Sequence, residues 1–320
     1  MTVDELIGTL PRGGHFEQQM RYHQGWWRAC VLNELEGPHP TRPDQTVCNV
    51  ITGGESCGRN FVGNTAFDVA KSVVAQRTDK GKSAAGLMHE GRLYNNLLSS
   101  QPLAFNFFGP LARSMPLATA VLGQFVELDE VTAVEFEYAG EPESTGSRPD
   151  NSAFDVAVKF IRGGRPGLLG IECKYTDSLD SKKYDKPAYK ELLADARTFR
   201  QNASYDELTR PSFNQLFRNQ LILERLMQVG DCEFGESLVF CHGADDTALE
   251  TAVQFGSQIV KGPTSGFGSL TYQNFIVATQ RLELTWEERE WTMLLWARFC
   301  ATLLSEPHYQ VRRDSASGNN

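Results

Sequence analysis

Three residues in one short stretch have the types and spacing for phosphodiester chemistry: Asp155, Glu172 and Lys174. Residues 153–175 read AFDVAVKFIRGGRPGLLGIECKY. Two carboxylates brought face to face repel, and the repulsion is relieved when a cation sits between them. Carboxylate oxygens suit a hard divalent ion, Mg²⁺ or Mn²⁺. An ammonium on the same face can orient the attacking water or stabilise charge on a phosphate.

The elements that would position these groups follow from periodicity. Phe154, Val156, Val158 and Phe160 alternate with Asp155, Ala157 and Lys159, the period-2 pattern of a half-buried strand. Gly163-Gly164 supplies a turn, and Leu168 to Tyr175 forms a second apolar strand. A hairpin folded about those two glycines sets opposite one another the residues whose numbers sum to 327. Asp155 then faces Glu172, with Lys174 two residues on and pointing the same way.

This arrangement of an Asp, a glycine turn and a Glu-Cys-Lys triplet ending an apolar strand resembles the PD-(D/E)XK restriction-endonuclease-like superfamily. The resemblance is specific over about residues 150–176. Pro149-Asp150 offers a second literal Pro-Asp pair, but Asp155 is preferred because it lies within the strand pattern. The resemblance implies a metal-dependent nuclease. Asp155 and Glu172 would hold Mg²⁺ or Mn²⁺ together with the main-chain carbonyl of Cys173, and Lys174 would serve the nucleophilic water. It also implies a further acidic residue before the hairpin, for which Glu90 is the first choice and Glu135 the second. A Gln or Arg on the helix after the triplet is a further family feature. Gln215 and Arg218 answer to it, and Asn214 shares their helix face, giving three candidate substrate contacts.

Phe67-Asp68-Val69-Ala70 repeats the FDVA of residues 154–157, but no apolar strand bearing a Glu-x-Lys triplet follows it. A thiol mechanism through Cys241 and His242 is disfavoured, since neighbours on a strand point to opposite faces. Gln101 to Phe108 (QPLAFNFF) reads as core rather than as a base-stacking surface. Lys159, Arg162, Arg165, Lys182, Lys183 and Lys186 form a local basic cluster that could meet a nucleic-acid backbone.

The expected fold is α/β, with a mixed central sheet of four or five strands flanked by helices. It is read as one nuclease-like domain over 1–320: a core at about 83–280, an N-terminal helical extension over 1–82 and a C-terminal helix at 285–304. Helices are expected at 16–36, 83–100, 118–125, 187–201, 213–229 and 246–260. The C-terminal helix at 285–304 begins at a Thr285/Glu288 capping box. Strands are expected at 47–51, 131–138, 237–241 and 272–279, and residues 312–320 read as a frayed tail.

A net charge of −9 on 320 residues argues against a non-specific nucleic-acid coat. Seven cysteines without a CxxC pair suggest buried thiols in a reducing compartment. No run of apolar residues is long enough to span a membrane, and no signal peptide is evident, so a cytoplasmic protein is expected. The expected partner is nucleic acid, most simply DNA, cut as an endonuclease in restriction, repair or defence against foreign DNA, and a homodimer is open. A catalytically inactive binding module of the same fold, and a core ion network neutralised by Lys174, are the alternatives.

Overall fold

A computed structural model of the chain describes residues 3–8, 10, 13–81, 84–140, 150–177, 179 and 184–317. The centre is a five-stranded sheet in the order β3-β4-β5-β6-β7. Its strands are β3 (Glu130–Tyr138), β4 (Phe154–Arg162), β5 (Arg165–Cys173), β6 (Phe234–Cys241) and β7 (Ser265–Thr271). The first two pairings are antiparallel and the last two parallel, so the sheet is mixed, as expected. A separate two-stranded ribbon joins β1 (Gly37–His39) to β2 (Arg42–Val47).

Ahead of the sheet lie α1 (Val3–Ile7), α2 (His15–Trp26), α3 (Gly54–Cys57), α4 (Asn64–Lys80), α5 (Glu90–Asn95), α6 (Ser100–Arg113) and α7 (Met115–Leu122). Between β5 and β6 come α8 (Pro187–Ala194), α9 (Tyr205–Leu208) and α10 (Asn214–Gln228), and α11 (Asp246–Gly256) connects β6 to β7. The chain closes with α12 (Tyr272–Gln280), α13 (Trp286–Phe299) and α14 (Glu306–Ser317).

Both faces of the sheet are covered. Val156, Val158, Leu169 and Ile171 pack on one side with Leu103, Phe107 and Phe108 of α6 and Phe275 of α12. Ala157 and Leu168 face the other way, against Leu223 and Leu226 of α10. The QPLAFNFF segment lies in α6 and is core, as its composition implies.

Several boundaries differ from expectation for identifiable reasons. Of the helix expected over 83–100 only α5 forms within that span, because Asn96 to Ser99 leave the helical path and Ser99 caps the start of α6 through the Gln101 N–H. Tyr272 to Thr279 is helix α12, not strand: Thr271 caps it by accepting from the Asn274 N–H. The strand is the Gly-rich segment before it, Ser265 to Thr271. The ribbon strand β2 covers Arg42–Val47 rather than 47–51. Residues 312–317 belong to α14 instead of a frayed tail. The Phe67–Ala70 repeat lies within α4. The Thr285/Glu288 capping box is formed, with Thr285 N–H on Glu288 Oε2 at 2.7 Å.

Candidate active site

Gly163 and Gly164 both have positive φ, 57° and 73°, which is the backbone of a two-residue hairpin turn and strains any side chain with a Cβ. With Arg162 paired to Arg165 across it, the ladder runs up to Val156 opposite Ile171, and each of these pairs sums to 327. One step further along lie Asp155 and Glu172. The Cys173 N–H donates to Asp155 Oδ2 at 2.7 Å, which ties the carboxylate to the strand carrying the triplet.

Glu172 is 3% exposed and Lys174 6%. Lys174 Nζ stands 3.0 Å from Glu172 Oε1 and donates to Gln215 Oε1 at 2.8 Å. Gln215 in turn donates through Nε2 to Glu172 Oε1 at 2.6 Å. Asn219, one helical turn further along α10, donates to Glu172 Oε2 at 2.7 Å. The main chain of Lys174 is fixed at both ends: its N–H donates to the Phe240 carbonyl at 2.8 Å, and its carbonyl accepts from the buried Tyr272 hydroxyl.

A third carboxylate lies near these two. Phe136 pairs with Val156 and Tyr138 with Phe154, so Glu137 lies across from Asp155 on the neighbouring strand. Glu137 has φ 52°, a left-handed conformation that L residues rarely adopt. Residues two apart in a regular strand share a face. Phe136 and Tyr138 do not: the first packs toward α6 and the second toward α10. Phe154 and Val156 divide the same way, so the alternation breaks at Glu137 and Asp155 on both strands. The Leu87 N–H donates to Glu137 Oε2 at 3.2 Å, and Arg77 and Gln101 lie beside it.

The electrostatics reflect this crowding. Burial, then the charges of Glu172 and Glu137, push the Asp155 carboxyl well above the usual range. Glu137 is pushed up to about 7, first by burial and then by Glu172, with Arg77 working against both. Lys174 is opposed by burial, yet Glu172 and Asp155 outweigh it and hold the ammonium charged. Cys241 is buried and its thiol pushed up to about 12, and His242 is lowered to about 4 by burial, so neither is poised for nucleophilic work.

Among the described residues, no three His, Cys, Asp or Glu side chains converge as a ready-made metal cage. Both Glu172 oxygens are already engaged by Gln215, Asn219 and Lys174. By chemistry the donor set still fits a hard cation, since it consists of oxygen ligands whose mutual repulsion a divalent ion would relieve.

A family model described as the PD-(D/E)XK nuclease superfamily matches residues 11–301. The chain belongs to the PD-(D/E)XK nuclease superfamily. Membership extends the likeness from the hairpin to most of the chain and makes nuclease hydrolysis the activity the family implies. No curated protein and no solved structure matches the chain.

Within this superfamily member the residues expected at the site divide. Asp155, Glu172, Lys174 and Gln215 are brought together. Glu90 is not: it starts α5, is exposed, and among the described residues makes no hydrogen bond or ion pair with the other carboxylates. Glu135 is on the right strand but pairs with Lys159 at 2.5 Å. Asn214 is buried and spends its amide on Tyr184 and Thr209. Arg218 donates to Ser152 Oγ at 2.6 Å, lies 3.5 Å from Asp150 and stacks over Tyr184.

Asp150 also accepts from the Tyr189 hydroxyl and stays beside the centre rather than in it. The hairpin cations are paired as well, Arg162 with Glu236 at 2.6 Å and Arg165 with Glu233 at 3.5 Å. Lys182 and Lys183 lie outside the described residues. Glu137, Asn219 and Tyr272 were not anticipated. The pairing of β3 with β4 could have found Glu137, and the Gln215-to-Asn219 spacing of four could have found Asn219.

Proposed function

We propose that the chain is a divalent-metal-dependent nuclease that hydrolyses phosphodiester bonds, with DNA as substrate and internal cleavage as the mode. The observation that carries this reading is the charged Lys174 ammonium 3.0 Å from Glu172, beside carboxylates of Asp155 and Glu137 that repel one another. Asp155 and Glu172 would hold Mg²⁺ or Mn²⁺ with the Cys173 carbonyl, and Glu137 stands where the family's additional acid was sought at Glu90. A bound ion would supply charge neutralisation for the phosphate and a more acidic water. Lys174 donates hydrogen bonds toward the same face and stabilises negative charge there. Gln215 keeps the ammonium and the Glu172 carboxylate in register. Restriction, repair or defence against foreign DNA are the roles this chemistry suits.

The test is cleavage of plasmid, linear and single-stranded DNA, and of RNA, with Mg²⁺, with Mn²⁺ and with chelator. Glu172→Ala and Lys174→Ala should each abolish metal-dependent cleavage while circular dichroism shows the fold retained. Full cleavage by both variants would reject the assignment.

One observation favours a second reading. Glu172 has every oxygen satisfied and its charge balanced within the protein, which is what a buried ion network in an inactive, nucleic-acid-binding member would require. In that case Lys174→Met keeps or raises thermal stability and no divalent ion changes the melting temperature.

A further inference from the structure

Two of the side chains expected to touch substrate are instead spent on one exposed aromatic. Asn214 and Arg218, one turn apart on α10, both serve Tyr184. The buried Asn214 amide holds both polar groups of the Tyr184 main chain. Its Oδ1 accepts from the Tyr184 N–H at 3.3 Å, and its Nδ2 donates to the Tyr184 carbonyl at 3.0 Å. The Arg218 guanidinium lies over the ring, 4.6 Å from its centre. Arg218 is anchored in turn by Ser152 Oγ at 2.6 Å and Asp150 at 3.5 Å.

A loop residue with its backbone clamped and its ring backed by a cation is ordered in advance, which lowers the entropy that a contact would otherwise cost. Yet Tyr184 is 38% exposed. Arg218 covers one face of the ring, so the exposure falls on the other face and the rim. The position is close to the chemistry. Gln215, three residues before Arg218 on α10, holds both Lys174 and Glu172, and Asn219, the residue after Arg218, holds Glu172. Residues three apart on a helix have their Cβ atoms about 5–6 Å apart. The ring therefore stands one side chain away from the amide that aligns Lys174, within reach of a nucleotide beside the phosphate to be cut.

We propose that Tyr184 is a stacking platform for an unpaired nucleobase next to the scissile phosphate, so that the substrate strand is single-stranded at the site. The inference rests on the nuclease reading above and narrows its substrate. Every base has a π-face, so such a platform selects for strandedness and not for sequence. A base inside a duplex has both faces covered by its neighbours and must leave the stack before it can meet the ring.

The test titrates the full chain, in chelator, into a fluorescently labelled single-stranded oligodeoxynucleotide of about a dozen nucleotides and into the paired duplex of the same sequence. Tyr184→Leu and Tyr184→Gln should each weaken single-strand binding at least about fivefold, the loss of one stacked base. Tyr184→Phe should bind within about twofold of the wild type, because the ring remains. The dependence of affinity on salt should be the same in Tyr184→Leu as in the wild type, since no phosphate contact is removed. The duplex should bind more weakly than the single strand and respond less than about twofold to Tyr184→Leu. With Mg²⁺ the loss on single strands should fall on KM, and circular dichroism should show the fold retained. Single-strand affinity unchanged in Tyr184→Leu and Tyr184→Gln overturns the proposal, and so does an equal loss in Tyr184→Phe or on the duplex. A wild type that neither binds nor cuts nucleic acid rejects the nuclease reading and the platform with it. Cleavage of single strands that is indifferent to Tyr184 rejects the platform alone.

Discussion

Replacing Glu137 by Gln tests whether the third carboxylate belongs to the charged centre. Its pKa is raised from 4.5 to about 7 in the folded chain, by burial and by Glu172 against the pull of Arg77. The folded state therefore binds more protons than the unfolded state between those limits, and stability falls as pH rises through that window. At 1.36 kcal/mol per pH unit, the cost is about 3 kcal/mol once the pH is above 7 and is absent below about 4.5. Glutamine keeps the shape and the acceptor for the Leu87 N–H but carries no charge.

For 320 residues, an unfolding entropy of about 2.1 cal/mol/K per residue converts 1 kcal/mol into about 1.5 °C. Glu137→Gln should thus melt about 4–5 °C above the wild type at pH 8 without divalent ions, and level with it near pH 4.5. The comparison must be between the two proteins at each pH. His23 and His242 are lowered to about 4 by burial, so their contribution runs the other way, present above pH 6.5 and lost on acidification. That contribution is common to both proteins and cancels. Saturating Mg²⁺ at pH 8 should close the gap by stabilising the wild type more. Melting temperatures that run parallel from pH 5 to pH 8, within about 1 °C, would refute the claim that burial and the charge of Glu172 together raise the Glu137 carboxyl.

Other expectations rest on single contacts. Gln215→Leu removes the amide that joins Lys174 to Glu172; metal-dependent cleavage should drop at least tenfold, about 1.4 kcal/mol of transition-state stabilisation, with the circular dichroism spectrum unchanged. Gly170→Ala sets a methyl against the Phe154 ring, so urea denaturation should show a loss of about 1–3 kcal/mol, partly recovered by Phe154→Leu. Thr285→Ala breaks the capping box of α13 and should cost about 1 kcal/mol, seen as a small fall in melting temperature. Tyr272→Phe frees the Lys174 carbonyl in a buried setting; it should destabilise the fold by about 1–2 kcal/mol and slow cleavage without altering substrate binding, as separated by kcat and KM.

The hairpin was legible because both of its signals are local: side-chain alternation with period two, and two glycines at a turn that demands positive φ. The expected register is the one observed. Glu137 was not legible because its place depends on β3 pairing with β4 across a connection of 15 residues, and on a left-handed residue that breaks the alternation. Glu90 looked suitable as a charge on a helix before the hairpin, but helix periodicity does not say which way the first turn faces in three dimensions. The last strand was misplaced for a related reason. Tyr272 to Thr279 is rich in β-branched and apolar residues, while the true strand contains Gly266 and Gly268, and pairing with β6 overrides its poor intrinsic preference. Asn214 shares a helix with Gln215 and Arg218, yet its position at the helix start diverts it to the Tyr184 and Thr209 main chain.

The two-glycine turn carries a consequence for how the chemistry can be lost. It lies eight residues from Asp155, about 25 Å along an extended strand, and touches nothing at the centre. Yet it counts out the alignment of the whole ribbon. If one residue inserted between Gly163 and Gly164 were taken up by the ladder and not by a longer turn, β4 would slide against β5 by a single position and each side chain would change sides relative to its partner. Asp155 and Glu172 would then point to opposite faces, although every residue of the candidate site remained intact. The most damaging lesion to this centre can therefore be written where no ligand ever comes, in the tip of a solvent-exposed loop.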